Sequence, residues 1–211
     1  MPRRKHLDTG RPQPSNWPNH IRFLQSSQYH TSVPPAVRQH ILVNEGSLQS
    51  HSDLKVHIRS ITSSSHPACG QLGLFAGQKI PPKCHIIQYL GKHADLHSLI
   101  NKNQYFEGEI HCDERDSDYD LSLCRLSGNV SVGIDASMMG NQARFINDYR
   151  GIANKPNAIF QDGRTPSGEL CMNVWSSGHE IKKWEEIVVS YGKSWWKSRH
   201  KDEEEIDRNF I

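Results

Sequence analysis

Several familiar signals are missing from this 211-residue sequence. No stretch approaches the roughly 18 consecutive apolar residues that a membrane-spanning helix needs, so no spanning segment is expected. The basic start Met1-Pro2-Arg3-Arg4-Lys5-His6 lacks the apolar stretch of a secretory signal, which predicts a chain that is not secreted. No Cys-x-x-Cys pair occurs and no His pair completes a finger, so a tetrahedral zinc site is unsupported and no metal is expected. The cysteines Cys69, Cys84, Cys112, Cys124 and Cys171 are odd in number. Without a secretory signal, that points to free thiols in a reducing compartment. The Gly-x-Gly-x-x-Gly fingerprint is absent and no long βαβ unit follows the glycines, which removes a Rossmann fold. No internal repeat is visible, and glycine is too ordinary in amount for a collagenous chain.

What is present is uneven. The net charge of +2 hides eight Lys/Arg against three Asp/Glu in residues 1–60, and 17 against 20 in residues 61–211. A basic segment before a mildly acidic body is compatible with weak nucleic-acid contact, although such segments are more often simply solvated. Residues 1–53 read as a basic Pro/Ser/His-rich arm, interrupted by Pro2, Pro12, Pro14, Pro18, Pro34 and Pro35. Pro35 is placed to open a short helix over 35–43. From residue 54 the texture changes to short apolar segments punctuated by Gly and Pro. Strands are expected over 54–61, 74–76, 84–90, 130–135, 158–160, 170–175 and 187–191. A helix is expected over 91–101 and a short helical turn over 138–146. The reading is one mainly β domain over 54–197 with short helices, followed by a charged tail over 198–211.

Four segments carry chemistry. The first is Gly70-Gln71-Leu72-Gly73-Leu74-Phe75-Ala76, where glycines allow backbone to approach a ligand closely, although by itself it reads as a hairpin. The second is Gly140-Asn141-Gln142-Ala143-Arg144-Phe145-Ile146-Asn147, followed by Pro156-Asn157. Its buried amides and guanidinium must either brace the backbone or read a polar ligand, and bracing is the commoner case. The third runs from Ile181 to Gly192 and includes Glu185-Glu186 and Tyr191, with Trp195-Trp196 beyond. A tyrosine ending an apolar strand is usually a packed ring with a wet hydroxyl. The fourth gathers Asp113, Glu114, Asp116, Asp118 and Asp120 around Arg115 and Tyr119. Such a run is either a solvated loop or an attractor for a basic peptide.

In order and spacing, the first three segments resemble a SET domain, the lysine methyltransferase fold. The resemblance spans residues 54–197, about two thirds of the chain. It implies small curved sheets with a C-terminal pseudoknot, an exception to unthreaded topology. It also implies S-adenosyl-L-methionine as cofactor, contacted by Leu72, Gly73, Leu74, Arg144, Asn147 and Asp148, with Arg144 also bracing the knot. Tyr191 matches the family's catalytic tyrosine. Its hydroxyl would position amine and methyl and would not act as a strong base, since a phenol titrates near 10. Tyr119, Val189 and Trp195 fall where the substrate channel is expected. The implied partner is a basic protein such as a histone tail, and the implied compartment is the nucleus, with the cytoplasm second.

The sequence departs from the family pattern at four places. Asp148 and Tyr149 stand where His and Ser are usual, Trp184 where Gly is usual, and Val189 where Phe or Tyr often sets methylation number. If the turn at Trp184 needs positive φ, a bulky residue there costs about 1–3 kcal/mol. The family's cysteine-rich zinc segments have no counterpart here, which leaves Trp195-Trp196 to close the channel. These departures keep open a second reading, a catalytically silent SET-fold interaction module in chromatin.

Overall fold

The computed structural model describes residues 12–31, 33–42, 54–95, 119–125, 131–193 and 195–196. Alternating and β-branched stretches form strands, most of them short. The N-terminal part holds β1 (Arg22–Phe23), β2 (Gln28–Tyr29) and the helix α1 (Pro35–Ile41). Pro35 occupies the first turn of α1, where its missing N–H costs nothing. Val33, Val37 and Ile41 recur every fourth residue, and they pack with Val132 into a small second core.

The body opens with the antiparallel pair β3 (Val56–Ser60) and β4 (Leu72–Ala76). A second sheet places β12 (Leu170–Ser176) between β5 (His85–Tyr89) and β11 (Ala158–Arg164). A third has the order β2, β6 (Lys92–Asp95), β8 (Ser131–Asp135) and β7 (Asp120–Arg125). Two short parallel pairs complete the fold. One joins β1 to β9 (Met139–Gly140), and the other joins β10 (Asn147–Asp148) to β13 (Val188–Val189). The sheets converge on one apolar core that includes Leu74, Ile80, Ile134, Val174, Ile181 and Ile187, all fully buried.

The pairing of β10 with β13 positions the site. Tyr149 donates its N–H to Val189 O (2.9 Å), and Asn157 donates its N–H to Val188 O (3.2 Å). The Asn157 side chain accepts from Val188 N (2.9 Å) and donates to Glu186 O (2.8 Å). Segment 186–189 is thus bonded to the chain from 147 to 157, as the crossing implied by the SET resemblance requires. An Asn at 157 suits this place because one amide supplies both a donor and an acceptor.

Three expectations change. Residues 92–95, expected as part of a helix, form β6 between β2 and β8, because His93 and Ala94 are drawn into the buried sheet; residues 96–101 lie outside the described residues. Region 138–146 divides into β9 and a 3-10 turn over Gln142–Phe145. The segment expected as an arm packs on the body over 17–42, where Trp17, Ile21, Leu24 and Val33 are buried. Trp17 sets its ring edge-on to Phe23 and Phe145 at centroid distances of 5.1 and 5.4 Å. Among the described residues, no helix is long and apolar enough to cross a membrane.

Candidate active site

The crossing brings the end of the 3-10 turn, β10 and the residues after β13 to one place. Two buried polar side chains fix the approach. Asn141 accepts from Leu90 N (3.2 Å) and Ala143 N (3.3 Å) and donates to Gln88 O (2.7 Å). Arg144 donates from Nε to Ala136 O (2.8 Å) and from Nη2 to Ser137 O (3.2 Å). Its guanidinium also lies 4.1 Å from the ring centroid of Tyr119. This is backbone bracing, supplemented by a cation–π contact.

A cavity of about 550 Å³ opens beside this frame, with His66, Leu72, Phe145, Asn147, Arg150 and Tyr191 among its walls. A narrower cavity of about 130 Å³ adjoins it, walled by Tyr89, Leu121, Ile146 and Phe160. The two share Tyr119, Arg144, Tyr191 and Trp195. Tyr191 sits at the junction, and its hydroxyl donates to Ile146 O at 2.7 Å. In the narrow cavity the Tyr89 hydroxyl donates to Tyr119 O at 2.9 Å. Burial, and after it the neighbouring Tyr191, push the Tyr89 phenol well above its usual range, so it stays a donor.

Two carboxylates organise the polar side of the wide cavity. Glu186 accepts from Asn147 Nδ2 (2.8 Å) and meets His66 Nε2 (2.9 Å). Ala68 N donates to His66 Nδ1 (3.0 Å), which assigns the proton to Nε2 and makes His66 a donor to Glu186. Gly73 makes room for this carboxylate, since a Cβ there would lie 2.8 Å from Glu186 Oε1. Asp148 accepts from Arg150 N (2.9 Å), Tyr191 N (2.8 Å), Trp196 Nε1 (3.3 Å) and the Arg150 guanidinium (3.0 Å). No group of three His, Cys, Asp or Glu among the described residues is arranged to hold a metal.

A sequence profile of the SET domain matches residues 71–192. The chain belongs to the SET-domain family. Solved structures to which the chain is similar include the Chaetomium thermophilum Polycomb Repressive Complex 2 bound to GSK126, at 20% identity over 67% of this chain and 16% of that one, with TM-score 0.49. Another is ctPRC2 in an autoinhibited conformation bound to S-adenosylmethionine, at 22% identity over 72% and 17%, with TM-score 0.49. A third is KRYPTONITE in complex with mCHH DNA, an H3(1-15) peptide and SAH, at 17% identity over 66% and 24%, with TM-score 0.45. This SET-domain chain therefore spans less than a quarter of the length of each. A comparison with curated protein sequences gave no match.

Of the residues singled out in the sequence, Leu72, Tyr119, Arg144, Asn147, Asp148, Tyr191 and Trp195 all line the wide cavity of this SET domain. Gly73, Leu74 and Val189 line neither cavity. Leu74 and Val189 are fully buried in the core, and Gly73 backs onto Glu186. Successive residues of β4 face opposite sides, so Gly73 meets Glu186 while Leu74 enters the core, as Val189 of β13 does. The acidic residues 113–118 lie outside the described residues; Asp120, at the end of that run, does line the narrow cavity.

Trp184 has φ 70°, so the SET turn that usually holds glycine does adopt the left-handed conformation. Its ring is 49% exposed and stands clear of both cavities. The ring stacks at 5.3 Å on His57, with the Arg59 guanidinium at 5.5 Å and the Lys183 ammonium at 5.1 Å. His66 and Arg150 belong to no spaced motif, and Tyr89 lies in a strand without a signal of its own; only their convergence in space distinguishes them.

Proposed function

We propose that this chain is an S-adenosyl-L-methionine-dependent protein-lysine N-methyltransferase acting on a basic protein segment such as a histone tail. The observation that carries this reading is the meeting of a wide and a narrow cavity at the Tyr191 phenol. A methyl donor and an amine need two separate entrances and one shared point of contact.

The residues fit that cofactor. The wide cavity lies within the roughly 300–1,000 Å³ of small-molecule sites. Phe145, Trp195 and Trp196 offer flat apolar surface for a purine. Asn147, Arg150 and the backbone around Leu72 would hold the polar groups, with Glu186 fixing Asn147 in place. When bound, the cofactor supplies a methyl group on a positively charged sulfur, from which the amine lone pair displaces a neutral thioether.

The chain's own contribution is alignment and exclusion of water. Tyr89, Tyr119, Leu121 and Phe160 form an apolar aromatic sleeve for a lysine stem. Lysine must enter or become neutral, although its ammonium titrates near 10.4 in water. The apolar rings and the Arg144 guanidinium favour the neutral amine, against the Asp120 carboxylate in the same wall, which favours the ammonium. Tyr191 keeps its proton on Ile146 O, which turns its oxygen lone pairs towards the amine and holds it in line. Asp120, in the wall of the narrow cavity, favours the approach of a cationic side chain. A histone-like substrate would suit a nuclear protein, in which the basic residues of 1–60 would add weak nucleic-acid contact.

Calorimetric titration with S-adenosylhomocysteine tests the reading. Micromolar binding that weakens at least tenfold in Asn147→Ala supports it. No binding by the wild-type chain favours the silent interaction module.

A further inference from the structure

Asp148 occupies a position where a SET domain usually carries histidine, and its surroundings are built for a carboxylate. It is 8% exposed. Oδ1 accepts from Arg150 N at 2.9 Å and Arg150 Nη1 at 3.2 Å. Oδ2 accepts from Tyr191 N at 2.8 Å, Arg150 Nη1 at 3.0 Å and Trp196 Nε1 at 3.3 Å. A neutral imidazole has a single acceptor nitrogen and cannot receive all of these donors. The partners are also spread along the chain, with Tyr191 lying 43 residues and Trp196 48 residues from Asp148.

Tyr191 is consequently held at both ends, its main chain by Asp148 and its hydroxyl by Ile146 O. Beyond it the rings form a ladder. Trp195 meets Tyr191 edge-on at 4.9 Å, and Trp196 meets Trp195 edge-on at 4.9 Å. Arg150, paired with Asp148, places its guanidinium 5.2 Å from the ring centroids of both Trp196 and Tyr149. Both tryptophans line the wide cavity.

We infer that Asp148 is a positioning residue, a carboxylate latch that fastens Tyr191 and Trp196 at the wide cavity and so sets the Tyr191 phenol at the junction of the two cavities. It acts through Tyr191 and Trp196 and takes no part in the chemistry. Its catalytic consequence rests on the methyltransferase reading above, whereas the latch itself is a property of the fold. Charge-assisted bonds to a buried carboxylate are stronger than neutral ones, and removing the charge leaves several buried donors facing a poorer acceptor.

The test compares the wild-type chain with Asp148→Asn and Trp196→Phe, by residue-resolved amide exchange and by S-adenosylhomocysteine titration and methyl-transfer kinetics. Asp148→Asn should speed exchange of the Tyr191 amide at least tenfold. It should also lower kcat at least tenfold while KM for a lysine peptide changes less than threefold. Trp196→Phe keeps the Asp148–Tyr191 bond, so the Tyr191 amide stays protected while S-adenosylhomocysteine binds several-fold more weakly. A Tyr191 amide equally protected in wild type and Asp148→Asn overturns the latch. So does a Trp196→Phe variant that binds as tightly as wild type, a result that stands even if Asp148→Asn fails to fold. A wild-type chain that neither binds S-adenosylhomocysteine nor transfers methyl defeats the methyltransferase reading instead, and the exchange comparison still decides the latch.

Discussion

The Asn147 side chain donates to Glu186 Oε1 across 2.8 Å, joining the start of β10 to the segment that enters β13. Because Glu186 also meets His66 at 2.9 Å, one carboxylate ties three separate stretches of chain around the wide cavity. Asn147 and Tyr191 line that cavity together, so the crossing that knots the fold also assembles the candidate site.

Removing the carboxylate should be felt in both stability and binding. Glu186→Ala leaves the His66 N–H without its acceptor and the Asn147 amide with only a long 3.5 Å contact to Leu72 O, at a cost of about 1–3 kcal/mol. Urea unfolding should register that loss, and S-adenosylhomocysteine should bind more weakly. An unchanged unfolding midpoint would remove Glu186 from the account.

Gly73 tests the same contact from the other side. A Cβ there would lie 2.8 Å from Glu186 Oε1 and 3.1 Å from Ile61 and Phe75 side-chain atoms. Gly73→Ala should therefore destabilise by about 1–3 kcal/mol through overpacking, although alanine is normally the better strand residue. Thermal unfolding that matches wild type would contradict the close approach.

Trp184 gives an inverted order of variants. At φ 70°, alanine keeps the backbone strain and loses the stacking with His57, Arg59 and Lys183, whereas glycine loses only the stacking. Trp184→Gly should be more stable than Trp184→Ala by about 1 kcal/mol. The two variants, compared by chemical unfolding, would contradict this if alanine proved the more stable.

His93 supplies an acid-sensitive element. It is fully buried against Tyr29, with ring centroids 4.8 Å apart, and burial lowers its pKa from 6.5 to about 4. Between those values the unfolded chain binds the extra proton, so stability is full above about pH 6.5 and falls as pH drops towards 4. The full shift is worth about 3 kcal/mol. Between pH 7 and 5 the wild-type chain should lose about 2 kcal/mol more than His93→Leu. Parallel losses in urea unfolding would show that His93 carries none of the pH dependence.

Much of this arrangement was legible in the sequence where local chemistry and geometry coincide. Apolar alternation marks β3, short apolar runs mark β5, β8 and β12 to within a few residues, and Pro35 marks the start of α1. The motifs around Asn147, Asn157 and Tyr191 mark the crossing only through their resemblance to the SET family, since each alone reads as bracing or packing. β7 was hidden because Asp120, Ser122 and Arg125 make a polar strand continuous with an acidic run. β6 was hidden because its four residues are ordered by neighbours distant in sequence, not by their own pattern. The partners of Asp148 could not be read at all. An aspartate in place of histidine looks like a defect until the backbone of Tyr191 and the indole of Trp196 are seen to converge on it.

The most direct test of the central claim is transfer of labelled methyl from S-adenosylmethionine to lysine-containing protein or peptide arrays, comparing wild type with Tyr191→Phe. Loss of the hydroxyl should reduce transfer about 100-fold, the scale expected for misplacing reacting groups, while S-adenosylhomocysteine still binds. Label on lysine from the wild-type chain, nearly abolished in the variant, is the predicted result. Equal labelling by both chains, or none by either despite cofactor binding, would contradict the assignment of the junction at Tyr191 as the place where methyl and amine meet.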